Sequence, residues 1–164
     1  IWSHLEGVVR EAAEKFVESR VREGENLKKD LLAKLSAMSD IVAYIEEKSP
    51  QIIEDYKARL IEKVDELAIN TQIDDQRIAA EVTMYADKVC VDEEVVRLRS
   101  HIDSTIKILT EGGAVGRKLD FIVQEMNREA NTILSKANSL IISDKGIDLK
   151  TEIEKVREQI QNIE

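Results

Sequence analysis

Apolar residues recur in steps of three and four along almost the whole chain. Trp2, Leu5, Val9, Ala12 and Phe16 open the pattern, and Gly24, Leu27, Leu31, Leu35, Met38, Val42 and Ile45 carry it on. That spacing belongs to an amphipathic helix with a coiled-coil-like seam. It predicts one helix over about 3–47, roughly 65 Å long at the helical rise. Gly24 falls on the apolar stripe, which reads as a close helix–helix approach rather than a break.

Ser49-Pro50 then reads as a stop and restart, with Ser as N-cap and Pro at the first helical position. Ile53, Tyr56, Leu60, Val64 and Leu67 mark a second helix over about 51–69, so an αα-hairpin is expected. Asn70 to Asp74 is a polar connection. A shorter helix over 75–89 turns Ile78, Val82 and Tyr85 inward. Asp92 is expected to cap the next helix, whose stripe is Val95, Leu98, Ile102, Ile106 and Leu109. Gly112-Gly113 ends it. A helix over about 115–140 follows, Asp144-Lys145-Gly146 turns the chain, and Leu149, Ile153, Val156, Ile160 and Ile163 line a last helix. The fold class is therefore all-α: a long helical hairpin arm (1–72) and a smaller antiparallel helix bundle (73–164). No strand-like alternation and no internal repeat is visible.

Composition sharpens this. Glu, Lys, Leu and Ile are abundant, with one Pro and six Gly, as in long helices. The net charge of −9 argues against a simple cationic nucleic-acid binder, since phosphate binding needs Lys and Arg. It leaves room for a metal-dependent phosphodiesterase, whose site collects carboxylates. The single cysteine, Cys90, excludes an intrachain disulfide and reads as a core filler at a helix end. No apolar run approaches the roughly 20 residues of a membrane span. With no signal peptide visible, the expected location is cytoplasmic. The start at Ile1, directly into an apolar helix, reads as a piece of a longer protein.

The segment from Gly116 to Asn138 carries the candidate chemistry. On a helical projection Leu119, Ile122, Val123, Met126, Ala130, Ile133, Leu134 and Ala137 share one sector. The opposite side gathers Arg117, Asp120, Phe121, Gln124, Glu125, Asn127, Arg128, Glu129, Asn131, Thr132 and Ser135. A merely solvated helix face favours Glu and Lys. This one favours amides and guanidinium groups, which make directed hydrogen bonds. Phe121 between the arginines suits stacking on a base or packing into a partner. Burial against another helix or subunit is the competing reading.

Glu125 and Glu129, at i and i+4, can reach one metal ion, or form an acidic edge pairing with Lys118 or Arg128. Glu94, Arg97, His101 and Ser104 line a second polar face. His101 there is a candidate acid/base or metal ligand, or a surface residue. No Gly-rich phosphate loop, zinc spacing or nucleophile elbow occurs.

Four segments together are similar to the YicC/YloC family: GRKLDFIVQEMNREANTILSKA (Gly116 to Ala137), REGENLKKDL (Arg22 to Leu31), DEEVVRLRSHI (Asp92 to Ile102) and EIEKVREQIQNIE (Glu152 to Glu164). They cover nearly the whole chain in order. The resemblance implies a metal-dependent endoribonuclease that hydrolyses phosphodiester bonds, and single-stranded or loop RNA is the expected substrate because its unstacked bases are accessible. It implies Mn2+ or Mg2+ as cofactor, a ring-like hexamer as assembly, and an N-terminal domain that this sequence lacks.

The resemblance marks family positions without assigning their roles; the residue chemistry above, read as an enzyme, gives an expected site of three parts. His101, Glu125 and Glu129 are catalytic. Arg117, Phe121, Gln124, Arg128 and Asn131 hold RNA. Glu94, Asp120, Glu125 and Glu129 hold the metal. The alternatives are a helical oligomerisation module and an RNA-binding adaptor without catalysis of its own.

Overall fold

Leu31, Leu35, Met38, Val42 and Ile45 are all fully buried, and they form one stripe on one helix. Around that stripe the rest of the fold assembles. A computed structural model describes residues 2–67 and 75–163. Among them are five helices: α1 (Trp2–Leu67), α2 (Asp75–Val89), α3 (Asp92–Glu111), α4 (Gly116–Lys136) and α5 (Leu140–Ile160). The connection expected at Asn70 to Asp74 and the side chain of Leu67 lie outside the described residues. No strand occurs among the described residues, as the helical periodicity implies.

The middle of α1 packs with α3, α4 and α5 as a four-helix bundle with a single continuous core. Each helix runs against its neighbour. Lys28 Nζ donates to the Thr110 carbonyl, 3.4 Å away, while Arg99 of α3 pairs with Glu46, so α1 and α3 are antiparallel. Arg97 and Lys136 tie α3 to α4 in the same sense. Lys145 of α5 lies 5.8 Å from the centre of the Tyr44 ring of α1. Val95, Leu98, Ile102, Leu119, Val123, Met126, Ile133, Leu149, Ile153 and Val156 fill the interior, as their spacing predicts.

Five local expectations change. The chain does not reverse at Ser49-Pro50: α1 runs unbroken for 66 residues, about 100 Å. Ser49 is no cap; its hydroxyl donates back to the Ile45 carbonyl at 2.7 Å, inside the helix. The apolar stripe explains the continuity. Ile45 before the proline and Ile52 after it both pack on the core, and this packing overrides the break that proline favours. The reversal comes after Leu67 instead. There α2 returns along α1, with Tyr56 stacked on Tyr85 at 3.6 Å between ring centres and 9° between planes.

Gly146 does not turn the chain either. It is buried within α5, where α4 passes close by. The helix already starts at Leu140, with the Ser139 hydroxyl accepting from the Ile142 amide at 3.3 Å. Gly24, by contrast, meets nothing: a Cβ there would find open space. The close approach expected at Gly24 thus belongs to Gly146.

Finally, Cys90 is exposed between α2 and α3, and its neighbours Val89 and Val91 take the buried places. Asp92 is the first residue of α3, and Val91 before it offers no side-chain cap. Gly112 and Gly113, with φ of 75° and 95°, end α3 as expected. Among the described residues no helix is long and apolar enough to cross a membrane.

Candidate functional site

α4 is aimed by its own amphipathicity. Leu119, Val123, Met126, Ala130 and Ile133 are each fully buried, which fixes the helix's rotation. The opposite side must then face outward. Arg117, Phe121, Gln124, Arg128 and Asn131 are exposed there, in one stripe along the helix. Phe121 is 63% exposed, and no described residue covers it. Gln124 Nε2 donates to Asp120 Oδ2 at 2.8 Å, which holds both side chains along the helix surface. Arg117 and Asp120 also line a cleft of about 660 Å³ with Gln161 and Ile163 at the end of the bundle. Beside it lies a larger groove of about 800 Å³ with Glu23, Lys28 and Asp30 of the Arg22–Leu31 segment.

The carboxylates behave differently from the sequence expectation. Glu129 does not look outward; it is 5% exposed and faces α3. Arg97 Nε approaches Glu129 Oε1 at 3.0 Å, an ion pair whose angle misses good hydrogen-bond geometry. Glu94 is likewise buried, at 3% exposure. Lys136 Nζ donates to both of its oxygens, at 2.8 and 2.9 Å. The same Arg97 binds exposed Glu93 at 2.5 Å and comes within 3.5 Å of Glu94. Burial tends to lower the Arg97 pKa, but the hydrogen bond and charge of Glu129, with the Glu93 and Glu94 charges, outweigh it and hold the guanidinium above its ordinary value. Two buried carboxylates and two cations thus bridge α3 and α4.

This arrangement does not fit a metal site. Glu94 and Glu129 are already neutralised by cations. Glu125 is half-buried and pairs with Arg128 at 3.4 Å, the edge pairing that its spacing allowed. Asp120 is engaged by Gln124. Among the described residues no three His, Cys, Asp or Glu side chains gather to hold an ion. His101 is half-buried, and its side chain has no hydrogen-bond or ion-pair partner among the described residues. The pairing of Arg97 with Glu129 sets the antiparallel register of α3 and α4. One turn on from Arg97 brings His101 to the level of Glu125, one turn back from Glu129.

Sequence reasoning missed Lys136. Its signal was weak: a cation in the last turn of α4, where the helix dipole alone would account for it. Asn127 also departs from expectation. Its Oδ1 is buried without a partner, so it belongs to the packed edge of α4 rather than to the open stripe.

The bundle and its exposed arginine, amide and aromatic stripe define an all-α protein with a surface suited to binding a polar, base-bearing or peptide partner. The comparisons give the family. The model described as Endoribonuclease YicC-like, C-terminal, matches residues 45–164, and the chain belongs to that family. It is 41% identical over 165 residues to a protein of Clostridioides difficile (strain 630) named "Probable endoribonuclease YicC", with all of this chain and 56% of the relative covered. It is 38% identical over 149 residues to a Haemophilus influenzae protein of the same name, covering 91% of this chain and 51% of the relative. The chain therefore spans about half the length of the curated relatives it matches.

Proposed function

We propose that this chain is the helical part of an endoribonuclease acting on single-stranded or looped RNA, with the outward stripe of α4 as its RNA contact. The observation that carries the reading is Phe121, 63% exposed on the one face that also offers Arg117 and Arg128. An unstacked base gains from lying on an aromatic ring. The guanidinium groups suit phosphate oxygens in a bidentate manner, and Gln124 and Asn131 offer donors and acceptors to sugar or base edges. His101 and Glu125 are the proton-transfer candidates, since they share a level on the α3–α4 seam. A protein of net charge −9 with two arginines in its stripe makes few phosphate contacts. A salt slope of only about −1.4 is expected from two such contacts on single strands.

A requirement for Mn2+ or Mg2+ is part of the family expectation. The carboxylates of this chain do not converge on an ion, so no step here runs through one. The deciding experiment is cleavage of a short labelled hairpin RNA by the full-length protein, with and without EDTA. The wild type should cut within the loop. Phe121→Ala and Arg128→Ala should each lower kcat/KM tenfold or more, with unchanged thermal stability. Wild-type cleavage by both variants would remove the α4 stripe from the reading.

A second reading, self-assembly, has its own support. Trp2, Leu5, Val9 and Phe16 lie more than half exposed along the first part of α1, where no described helix covers them. Stripes of that kind suit a helix–helix contact between protomers. Light scattering across a concentration series checks this; a strict monomer at every concentration would rule it out.

A further inference from the structure

Both buried carboxylates of the α3–α4 seam are satisfied by cations, and one of those cations, Lys136, had no assigned role. We propose that Arg97 and Lys136 are positioning residues: they pin Glu129 and Glu94 as counter-ions, set α3 against α4, and withhold both carboxylates from any divalent cation. The proposal rests on the reading of α4 as the RNA face, because what the two clamps aim is Arg128 and Phe121.

The geometry supports each part. Glu94 is held through both oxygens by one ammonium at 2.8 and 2.9 Å, so its lone pairs toward α4 are used. Glu129 has Arg97 at 3.0 Å and is 5% exposed, so no open side remains from which an ion with its waters could enter. Magnesium-like ions keep several waters and ask for near-octahedral oxygen ligands, which a closed seam does not offer. The two clamps lie at different heights. Lys136 is in the last turn of α4, and Glu129 lies about two turns earlier, roughly 10 Å along the axis. Two fastenings that far apart resist both sliding and rotation of α4 on α3. Arg128 directly precedes Glu129, and Phe121 lies about two turns further back on the same helix. Any rotation of the Glu129 backbone therefore swings Arg128 and Phe121 with it. Apolar packing alone tolerates small rotations, because Val, Ile, Leu and Met can repack. Paired charges in a buried seam do not, since a displaced partner leaves a carboxylate unpaired.

The test uses Lys136→Met, Lys136→Arg, Glu129→Gln, Arg97→Glu and the charge swap Arg97→Glu with Glu129→Arg, made in the full-length protein. Each is read by thermal unfolding, by Mn2+ titration followed by electron paramagnetic resonance, and by RNA kinetics at a temperature where every variant is folded. Lys136→Met should lower kcat/KM for RNA at least tenfold while folded, and Lys136→Arg should recover it to within twofold. The swap should recover most of the Tm lost by Arg97→Glu alone. Glu129→Gln should leave Mn2+ binding as in the wild type. Loss of a saturable Mn2+ site in Glu129→Gln overturns the proposal, and so does a folded Lys136→Met with unchanged kcat/KM. If no form cuts RNA, the functional reading fails. Mn2+ binding and rescue by the swap then still decide whether the seam is a clamp or a metal site.

Discussion

Gly146 of α5 lies so close to Leu134 of α4 that a Cβ added to it would stand 2.6 Å from Leu134 Cδ2 and 2.9 Å from its Cγ. No real side chain tolerates that spacing without movement, so the separation of the two helices is set at this point.

Gly146→Ala gains about 1 kcal/mol in helix propensity. It loses about 1–3 kcal/mol as Leu134 is forced off its rotamer. A net loss of about 1 kcal/mol is expected, visible as a small fall in Tm. Adding Leu134→Ala removes the obstacle, so the double variant should lose less than the sum of the two single changes. Strict additivity in that double-mutant cycle would show that the two residues do not press on each other.

Stability should separate the two sides of α4. Met126 is fully buried, and Met126→Ala should cost about 2–5 kcal/mol through lost burial and a cavity. Phe121→Ala should stay within about 0.5 kcal/mol of the wild type, because its ring touches water rather than core. Urea denaturation of the two variants decides this; a large loss in Phe121→Ala would mean that the ring is packed, not offered.

Pro50 lies inside α1, where it removes one backbone donor and crowds the carbonyl of Glu46. Pro50→Ala should therefore stabilise the chain, by about 1–3 kcal/mol after discount for the local adjustment already made. Calorimetry should show Tm rising by several degrees. An unchanged or lower Tm would mean that the proline's bend is needed by the packing on either side of it.

Alkaline pH should loosen the α1–α2 pair. Burial raises the pKa of Tyr56 above its ordinary 10.0, with the Glu81 carboxylate, the 3.2 Å hydrogen bond to it and Tyr85 acting in the same direction. The folded chain thus holds this proton more tightly than the unfolded chain does. Below pH 10 both states are protonated and the stacked pair contributes in full. As pH climbs past 10 the unfolded chain ionises first, and stability falls until the folded hydroxyl also titrates. Tm measured from pH 8 to 11.5 should therefore drop less steeply in Tyr56→Phe than in the wild type. Identical slopes would remove Tyr56 as the cause.

Much of this architecture was readable from spacing alone. Val95, Leu98 and Ile102, or Leu119, Met126 and Ile133, announce their burial because apolar side chains at helical period have one place to go. The open stripe of α4 was equally legible, for Phe121 is unusual among arginines and amides. What escaped was whatever depends on a second helix. Glu129 projects roughly 20° outside the apolar sector of α4, within the scatter of such an edge. Only the neighbouring Arg97 turns that edge into an interior. Gly146 looks like a turn until α4 is laid against it. Pro50 looks like a stop until Ile45 and Ile52 are seen anchored on either side. In each case a local preference yielded to a partner that lies far away in sequence.

The length of α1 has a mechanical meaning. Its first core residue is Leu27, and the groove beside it reaches back to Arg20, so residues 2–19 extend past the bundle by about 27 Å. A rod that long, seated in a rigid socket, multiplies small motions: a tilt of about 5° where it is held carries its tip through about 2 Å. Whatever grips the tip therefore gains leverage over the socket, and a slight repacking around Leu31 would be broadcast as a large sweep at Trp2.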